Sequence, residues 1–353
     1  MAFIKIEKVA IRGISGCVPR NVEENSDMPF YSSKEEAEHV IATTGIARRH
    51  VTTSDMTATD LCFHAAEKLI GELGWEKESI DLLAFATQCP DYLNHPDSFV
   101  VHDKMGLSEN TICLDYYHGC PAWVISLSSV LSMMQSGMIK RALLLDGDTV
   151  SKVQDKMNRE ERPLFGDAGT ATALEYDENA RPIYFNIGTL SEDGKALIKE
   201  NGGHRKPYTL DSLKFELDKR AGLADPDSST DKMDSMDVFS FAITKVPKAL
   251  KKLCSEYEIN MEEVSNLYLH QANKIILENI AKRMKVGMDK VPMSLGEYGN
   301  TTSASIPLTI VANNEGKKDV NENVLACGFG TGLSWGAVYF ETKNIVCPKI
   351  ELI

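Results

Sequence analysis

Positive charge is scarce in this chain. Its 353 residues carry 38 Lys and Arg against 51 Asp and Glu, a formal net charge of −13. A field of that sign opposes nucleic acid and anionic membrane as default partners. Long apolar runs are missing as well. LLAFA and ALLL fall far short of the roughly 20 residues that a membrane-spanning helix needs. The opening MAFIKIEKVAIRG alternates as a strand does and holds no apolar stretch of a secretory signal. The eight cysteines include no CxxC pair, which removes zinc-ribbon and thioredoxin-like readings. They are scattered through a chain long enough to bury a core without covalent staples, so a disulfide framework is rejected. No low-complexity tract and no fixed-period repeat occur. These features predict a soluble, reduced, cytoplasmic protein of about two domains.

What is present is an alternation of short apolar runs and longer helical patterns. Ile4–Ile14 reads as a strand pair at an edge. Leu61, Ala65, Leu69 and Leu73 recur at helical spacing. Asp81–Ala86 and Arg141–Asp146 read as buried strands, Pro121–Gln135 as a helix, and Phe165–Glu175 as strand, turn, strand. A second cycle starts after Asp177. Ile183–Leu190, Leu267–His270 and Val324–Phe329 read as strands, and Asp237–Glu256 and Gln271–Met284 as helices. Residues 191–235 are polar and read as a weakly ordered insertion or cap. The alternation predicts an α/β fold with a parallel or mixed sheet. The predicted halves are residues 1–177 and 178–353.

Four segments carry candidate chemistry. Cys120, in DYYHGCPAW, is followed by Pro121, which suits the first helical position. A cysteine at a helix start meets free N–H groups and the positive end of the macrodipole, which favour a thiolate. His270, in NLYLHQAN, closes a strand, where side chains of α/β folds face the ligand crevice. Asn300, in EYGNTTSASIP, follows a glycine at a turn. The run Gly328-Phe329-Gly330-Thr331-Gly332 lets backbone approach closely. A strand follows it and no Lys-Ser/Thr does, so a phosphate loop is excluded and a backbone N–H cradle for an oxyanion fits better. His95, His102 and Asp103 match no metal-ligand motif, and neither a metal nor a cofactor is expected. The order Cys, His, Asn superficially matches papain-like proteases, but their signature around the cysteine is missing.

In combination these segments resemble the β-ketoacyl-ACP synthase III family of the thiolase superfamily. The resemblance spans most of the chain: ATTGIARRHV (42–51), ATQCPDYLNHP (86–96), CLDYYHGCPAW, SGMIKRALLLDGDTVSK (136–152), LFGDAGTATAL (164–174), LHQAN, YGNTTSASIP and FGTGLSWGA, in that order. It implies the duplicated, five-layer αβαβα thiolase-like fold and a homodimer. It further implies a decarboxylative Claisen condensation. Cys120 takes an acyl group from a thioester, and His270 and Asn300 hold the carbonyl of malonyl-ACP. The backbone N–H groups of Cys120 and Thr331 form the oxyanion hole. The implied partners are acyl carrier protein, acyl-CoA thioesters and malonyl-ACP, with docking at Lys282, Arg283 and Lys248. Lys245, Lys251 and Lys252 extend that basic face. The family's Trp and Arg that hold coenzyme A's adenine are replaced by His39 and Thr43, which favours a carrier-bound primer. Asn94 and His95 stand where an apolar residue usually shapes the acyl pocket, which suggests an unusual primer. Two alternatives remain: acyl transfer to an O or N acceptor in a specialised pathway, and a partner-dependent, non-catalytic subunit.

Overall fold

The structure is a computed structural model and describes residues 2–223 and 231–353. Two β-sheets form its frame. One has five strands, in the order Ala2–Ile6, Ile183–Thr189, Ser334–Glu341, Asn323–Gly330, Asn266–Leu269. The other has eight. Its main path runs Lys317–Val320, Ile345–Cys347, Val9–Val18, Ala168–Tyr176, Arg141–Asp148, Leu82–Thr87, Ile112–Tyr117, and Glu351–Leu352 also pairs with Val9–Val18. Leu82–Thr87 is buried along its length and pairs in parallel on both sides. This explains a sequence apolar at every position rather than at every second one.

Two helices lie between the sheets. Ala122–Met134 (AWVISLSSVLSMM) touches strands of both, and so does Ser305–Asn313 (SIPLTIVAN). Each is apolar nearly all round, as a helix enclosed by two sheets must be. The sheet approaches closely: a Cβ at Gly336 would lie 2.9 Å from Val124 Cβ. The helices Ala58–Leu73 and Asp97–Met105 cover the outer face of the larger sheet, and Ser235–Glu256 and Lys274–Met284 that of the smaller. Helices, sheet, helices, sheet, helices make the five αβαβα layers, with one apolar cluster around the central helices and one under each outer layer.

Several sequence expectations change. Ile4–Ile14 is not one edge pair. Ala2–Ile6 joins the smaller sheet and Val9–Val18 the larger, with Lys8 at φ 63 between them. Phe165–Glu175 is one strand, Ala168–Tyr176, with Gly166 and Asp167 in the approach to it. Gly169 is needed inside that strand because a Cβ there would meet the backbone of the helix Ala58–Leu73 at 2.5 Å. The chain ends cross position 177, since Ala2–Ile6 pairs with Ile183–Thr189 while Ile345–Cys347 and Glu351–Leu352 pair with Val9–Val18. Residues 191–223 carry defined elements rather than weak order. Leu197–Lys199 pairs with Asp231–Met233, and the helix Leu210–Ala221 has a Thr209–Ser212 capping box and a left-handed Gly222 at its end. Part of the predicted cap, 224–230, lies outside the described residues.

Candidate active site

Cys120 sits between the strand Ile112–Tyr117 and the helix Ala122–Met134 and is buried. Two backbone N–H groups, its own and that of Thr331, lie near enough to its sulfur to favour the anion. Thr331 lies at the tip of the hairpin joining Asn323–Gly330 to Ser334–Glu341, where Gly330 pairs with Ser334. The glycines make this approach possible. A Cβ at Gly330 would lie 3.0 Å from Cys120 Sγ, and one at Gly328 would lie 2.7 Å from Pro121 Cα. The Gly-rich run is thus a backbone donor set against the cysteine.

The electrostatics depart from the expected thiolate. Burial, and then the Asp148 carboxylate, push the Cys120 thiol up to about 12, against the pull of the two N–H groups. Desolvation of the anion outweighs the helix start. The resting group is a thiol.

His270 directly follows the strand Asn266–Leu269 and is buried. Its backbone N–H donates to the Cys327 carbonyl, and its ring lies edge-on to Phe329 at 5.3 Å. Nδ1 is 2.7 Å from Ser305 Oγ, at the first residue of the second central helix. Burial holds the imidazole down at about 3, so the ring is neutral at physiological pH. A serine hydroxyl that donates to Nδ1 leaves the ring's proton on Nε2, which is then a donor.

Asn300 is fixed by backbone at both ends. Its N–H donates to the Leu164 carbonyl, and its carbonyl accepts from Gly166 N–H. Gly166 must be glycine, because a Cβ there would lie 2.1 Å from the Tyr298 carbonyl oxygen. The side-chain Oδ1 accepts from the Thr302 N–H at 2.9 Å. This leaves the Nδ2 donors for a ligand.

Asp148, which ends the strand Arg141–Asp148, ties these pieces together, and sequence reasoning did not single it out. Oδ1 accepts from Thr87 Oγ1 at 2.9 Å and Gln88 N–H at 2.8 Å. Oδ2 accepts from the Thr302 hydroxyl, Ser303 N–H and Ser303 Oγ. The segment LLLDGDTV held the signal: two acids at the end of a fully apolar strand. Ser305 was also missed, because a serine in SASIP has no local mark of facing a histidine. Cys120 and Thr331 thus meet at the start of the first central helix, and His270 and Asn300 are held at the start of the second.

The predicted docking cations are brought together in part. Lys248, Lys251, Lys252 and Arg283 line a surface cleft of about 370 Å³ between Ser235–Glu256 and Lys274–Met284. Lys282 is exposed on the second of these helices but does not line it, and neither does Lys245. His39 and Thr43 are exposed on the helix Lys34–Thr44, which touches Lys274–Met284. Asn94 and His95 are exposed as well.

An arrangement with a sulfur in a backbone N–H cradle, beside a neutral imidazole and a free amide, suits acyl transfer followed by stabilisation of a second oxyanion. Comparison with known proteins agrees. The family profile "3-Oxoacyl-[acyl-carrier-protein (ACP)] synthase III" matches residues 114–191, and its C-terminal counterpart matches residues 254–342. The β-ketoacyl-[acyl-carrier-protein] synthase III of Fusobacterium nucleatum is 30% identical over 95% of this chain and 99% of its own length. That of Streptococcus agalactiae is 30% identical over 96% and 99%. A crystal structure of a 3-oxoacyl-(acyl-carrier protein) synthase from Burkholderia xenovorans LB400 superposes with a TM-score of 0.90 at 32% identity, covering 99% of both chains. Similar along its whole length in sequence and in fold, the chain belongs to the β-ketoacyl-[acyl-carrier-protein] synthase III family of condensing acyltransferases.

Proposed function

We propose that the chain joins an acyl group, held on Cys120, to the two-carbon unit of malonyl-ACP with loss of CO₂. In the first half-reaction Cys120 Sγ attacks the thioester carbonyl. The oxyanion takes over the N–H groups of Cys120 and Thr331, and the cysteine proton leaves on the departing thiol. In the second, the malonyl carboxylate departs as CO₂ and its electron pair moves to the neighbouring thioester carbonyl. His270 Nε2–H and Asn300 Nδ2–H hold that enolate oxygen. The enolate carbon attacks the acyl carbonyl, the bond to Cys120 breaks, and the thiolate takes a proton from solvent. The product is a 3-oxoacyl thioester two carbons longer. Burial of the nucleophile excludes the water that would hydrolyse the acyl-enzyme.

The observation that carries this reading is the approach of the Gly-rich hairpin to Cys120, where a Cβ at Gly330 would lie 3.0 Å from Sγ and the Thr331 N–H favours the anion. The basic cleft of Lys248, Lys251, Lys252 and Arg283 supports docking of an acidic carrier protein on a chain that is itself acidic. His39 and Thr43 support a carrier-bound primer. The strand Ile112–Tyr117 ends the larger sheet and exposes Ile112 and Tyr117, with Tyr92, Leu93 and Phe99 exposed on segments close in sequence to it. An open apolar edge invites pairing, and a homodimer through it fits. A cytoplasmic location fits the reduced cysteines and the dependence on carrier thioesters. No helix among the described residues is long and apolar enough to cross a membrane.

The test is intact-protein mass spectrometry of wild type and Cys120→Ala with acyl-CoAs and acyl-ACPs of graded chain length, followed by malonyl-ACP. A Cys120-dependent adduct, discharged by malonyl-ACP with CO₂ release, is expected. An adduct that passes instead to an alcohol or amine would overturn the condensation.

A further inference from the structure

Asp148 has the features of a joint between the two halves of the site. It is fully buried, and five donors engage its two oxygens. Two are backbone N–H groups, which can only donate, and this is the pattern that satisfies an ionised carboxylate. Oδ1 holds Thr87 and Gln88, at the end of the strand nearest the nucleophile loop. Gln88 in turn borders Gly119, where a Cβ would lie 2.5 Å from its Oε1. Oδ2 holds Thr302 and Ser303, on the segment that leads from Asn300 into the second central helix.

The second observation is backbone strain. Thr302 has φ 49, in the left-handed region that a β-branched residue avoids. Strain of this kind persists only where surrounding contacts impose it. Here the Thr302 hydroxyl and the next residue's N–H and hydroxyl all end on Asp148 Oδ2. The conformation so imposed aims the Thr302 N–H at Asn300 Oδ1.

Resting on the condensing function proposed above, we propose that Asp148 is a positioning residue for Asn300. By holding the Thr302–Ser303 turn it fixes the rotation of the Asn300 amide, so that Nδ2 faces the enolate oxygen. Asp148 touches no reacting atom. Its positioning effect falls on the decarboxylation half-reaction through Asn300, while loss of its charge relieves one cause that holds the Cys120 thiol up and so does not slow acylation. Asp146 lies two residues earlier on the same strand and faces neither Asn300 nor the Thr302 turn through any hydrogen bond among the described residues.

A double-mutant cycle tests this, with CO₂ release from malonyl-ACP and Cys120 acylation measured separately. Asp148→Asn is expected to slow CO₂ release about 100-fold, the scale of one lost oxyanion donor. Cys120 acylation should stay within a few-fold of wild type. In an Asn300→Ala background Asp148→Asn should cost little more, because its route of action is already gone. In a His270→Ala background it should cost its full factor. Thr302→Val, which lacks the hydroxyl that reaches Asp148, should follow Asp148→Asn, and Thr302→Ser should recover most of the rate. These two variants keep the test available if Asp148→Asn does not fold. Equal losses in the wild-type and Asn300→Ala backgrounds overturn the proposal. Failure of acylated wild type to release any CO₂ overturns the condensing function itself and is read before any variant.

Discussion

The helices Ala122–Met134 and Ser305–Asn313 both lie between the two sheets and both begin at the site, yet what precedes each is different. Before the first comes a compact turn, Gly119-Cys120-Pro121, that presents one sulfur to two N–H groups. Before the second comes a longer, strained segment, Asn300 to Ala304, that presents an amide, while the helix's own first residue orients His270. The nucleophile side rests on a local turn and on one hairpin brought against it, which carries Thr331. The donor side rests on contacts made across the molecule, by Asp148, Leu164 and Gly166. A group that forms bonds needs room and a cradle. Groups that only stabilise charge need their direction set, and direction must be imposed from outside.

The comparison breaks most severely at the nucleophile. Cys120→Ala is expected to reduce condensation by on the order of 10⁴-fold or more and to abolish the acyl adduct, read by intact mass and product formation. A retained adduct would move the acyl site to another cysteine. Next in size are the two donors. His270→Ala and Asn300→Ala should each slow malonyl decarboxylation about 10²- to 10³-fold. Asn300→Ala should leave Cys120 acylation nearly intact, and an equal loss in both half-reactions would erase the division between the sides.

A smaller effect is expected at Ser305. Ser305→Ala leaves His270 Nδ1 without its 2.7 Å partner and frees the ring to take the other tautomer. A loss of about tenfold in kcat, with KM for malonyl-ACP little changed, is the expected reading. A rise in KM alone would show that Ser305 shapes binding rather than the ring.

The smallest effect is on stability, and it probes the strand that carries Asp148. Both carboxyl oxygens of Asp146 are buried without a partner among the described residues. Burial, and then the nearby Asp148 charge, hold this carboxyl well above the usual range. A raised carboxyl contributes its stability fully below the unfolded pKa, near 4, and loses it as pH rises toward the folded value, at about 1.4 kcal/mol per pH unit. Asp146→Asn removes that slope. Its stability relative to wild type should grow between pH 5 and pH 8, measured by denaturant unfolding. Parallel curves would place an ionised Asp146 in the folded protein.

Much of this was legible in the residues. Cys120-Pro121 ahead of an apolar helix, His270 closing a strand and the glycine run before another strand each named a position, and their order named the family. The α/β class followed from apolar runs alternating with helical periodicity, and the five layers from the family resemblance. The docking cations were half legible. A run of lysines at helical spacing marks a face, but only packing puts Arg283 beside Lys248 and leaves Lys282 outside the cleft. The exchange of terminal strands between the sheets was illegible, because Ala2–Ile6 alternates the same way whichever sheet it joins. So was the order within 191–223, where polar composition hid a capped helix and a two-stranded ribbon.

What the sequence determined by itself was the set of local devices. These are the cysteine at a helix start, the strand that ends in histidine and the hairpin that a side chain would close. Each depends on neighbours a few residues away, where propensity and spacing act directly. The tertiary structure alone decided the protonation and the aim of those groups. The Cys120 thiol is neutral because burial outweighs the helix start, His270 is neutral for the same reason, and Asn300 is turned by a carboxylate 152 residues earlier in the chain. Desolvation and long-range hydrogen bonds depend on what surrounds a group in space, and that neighbourhood exists only once the two sheets have closed on their helices.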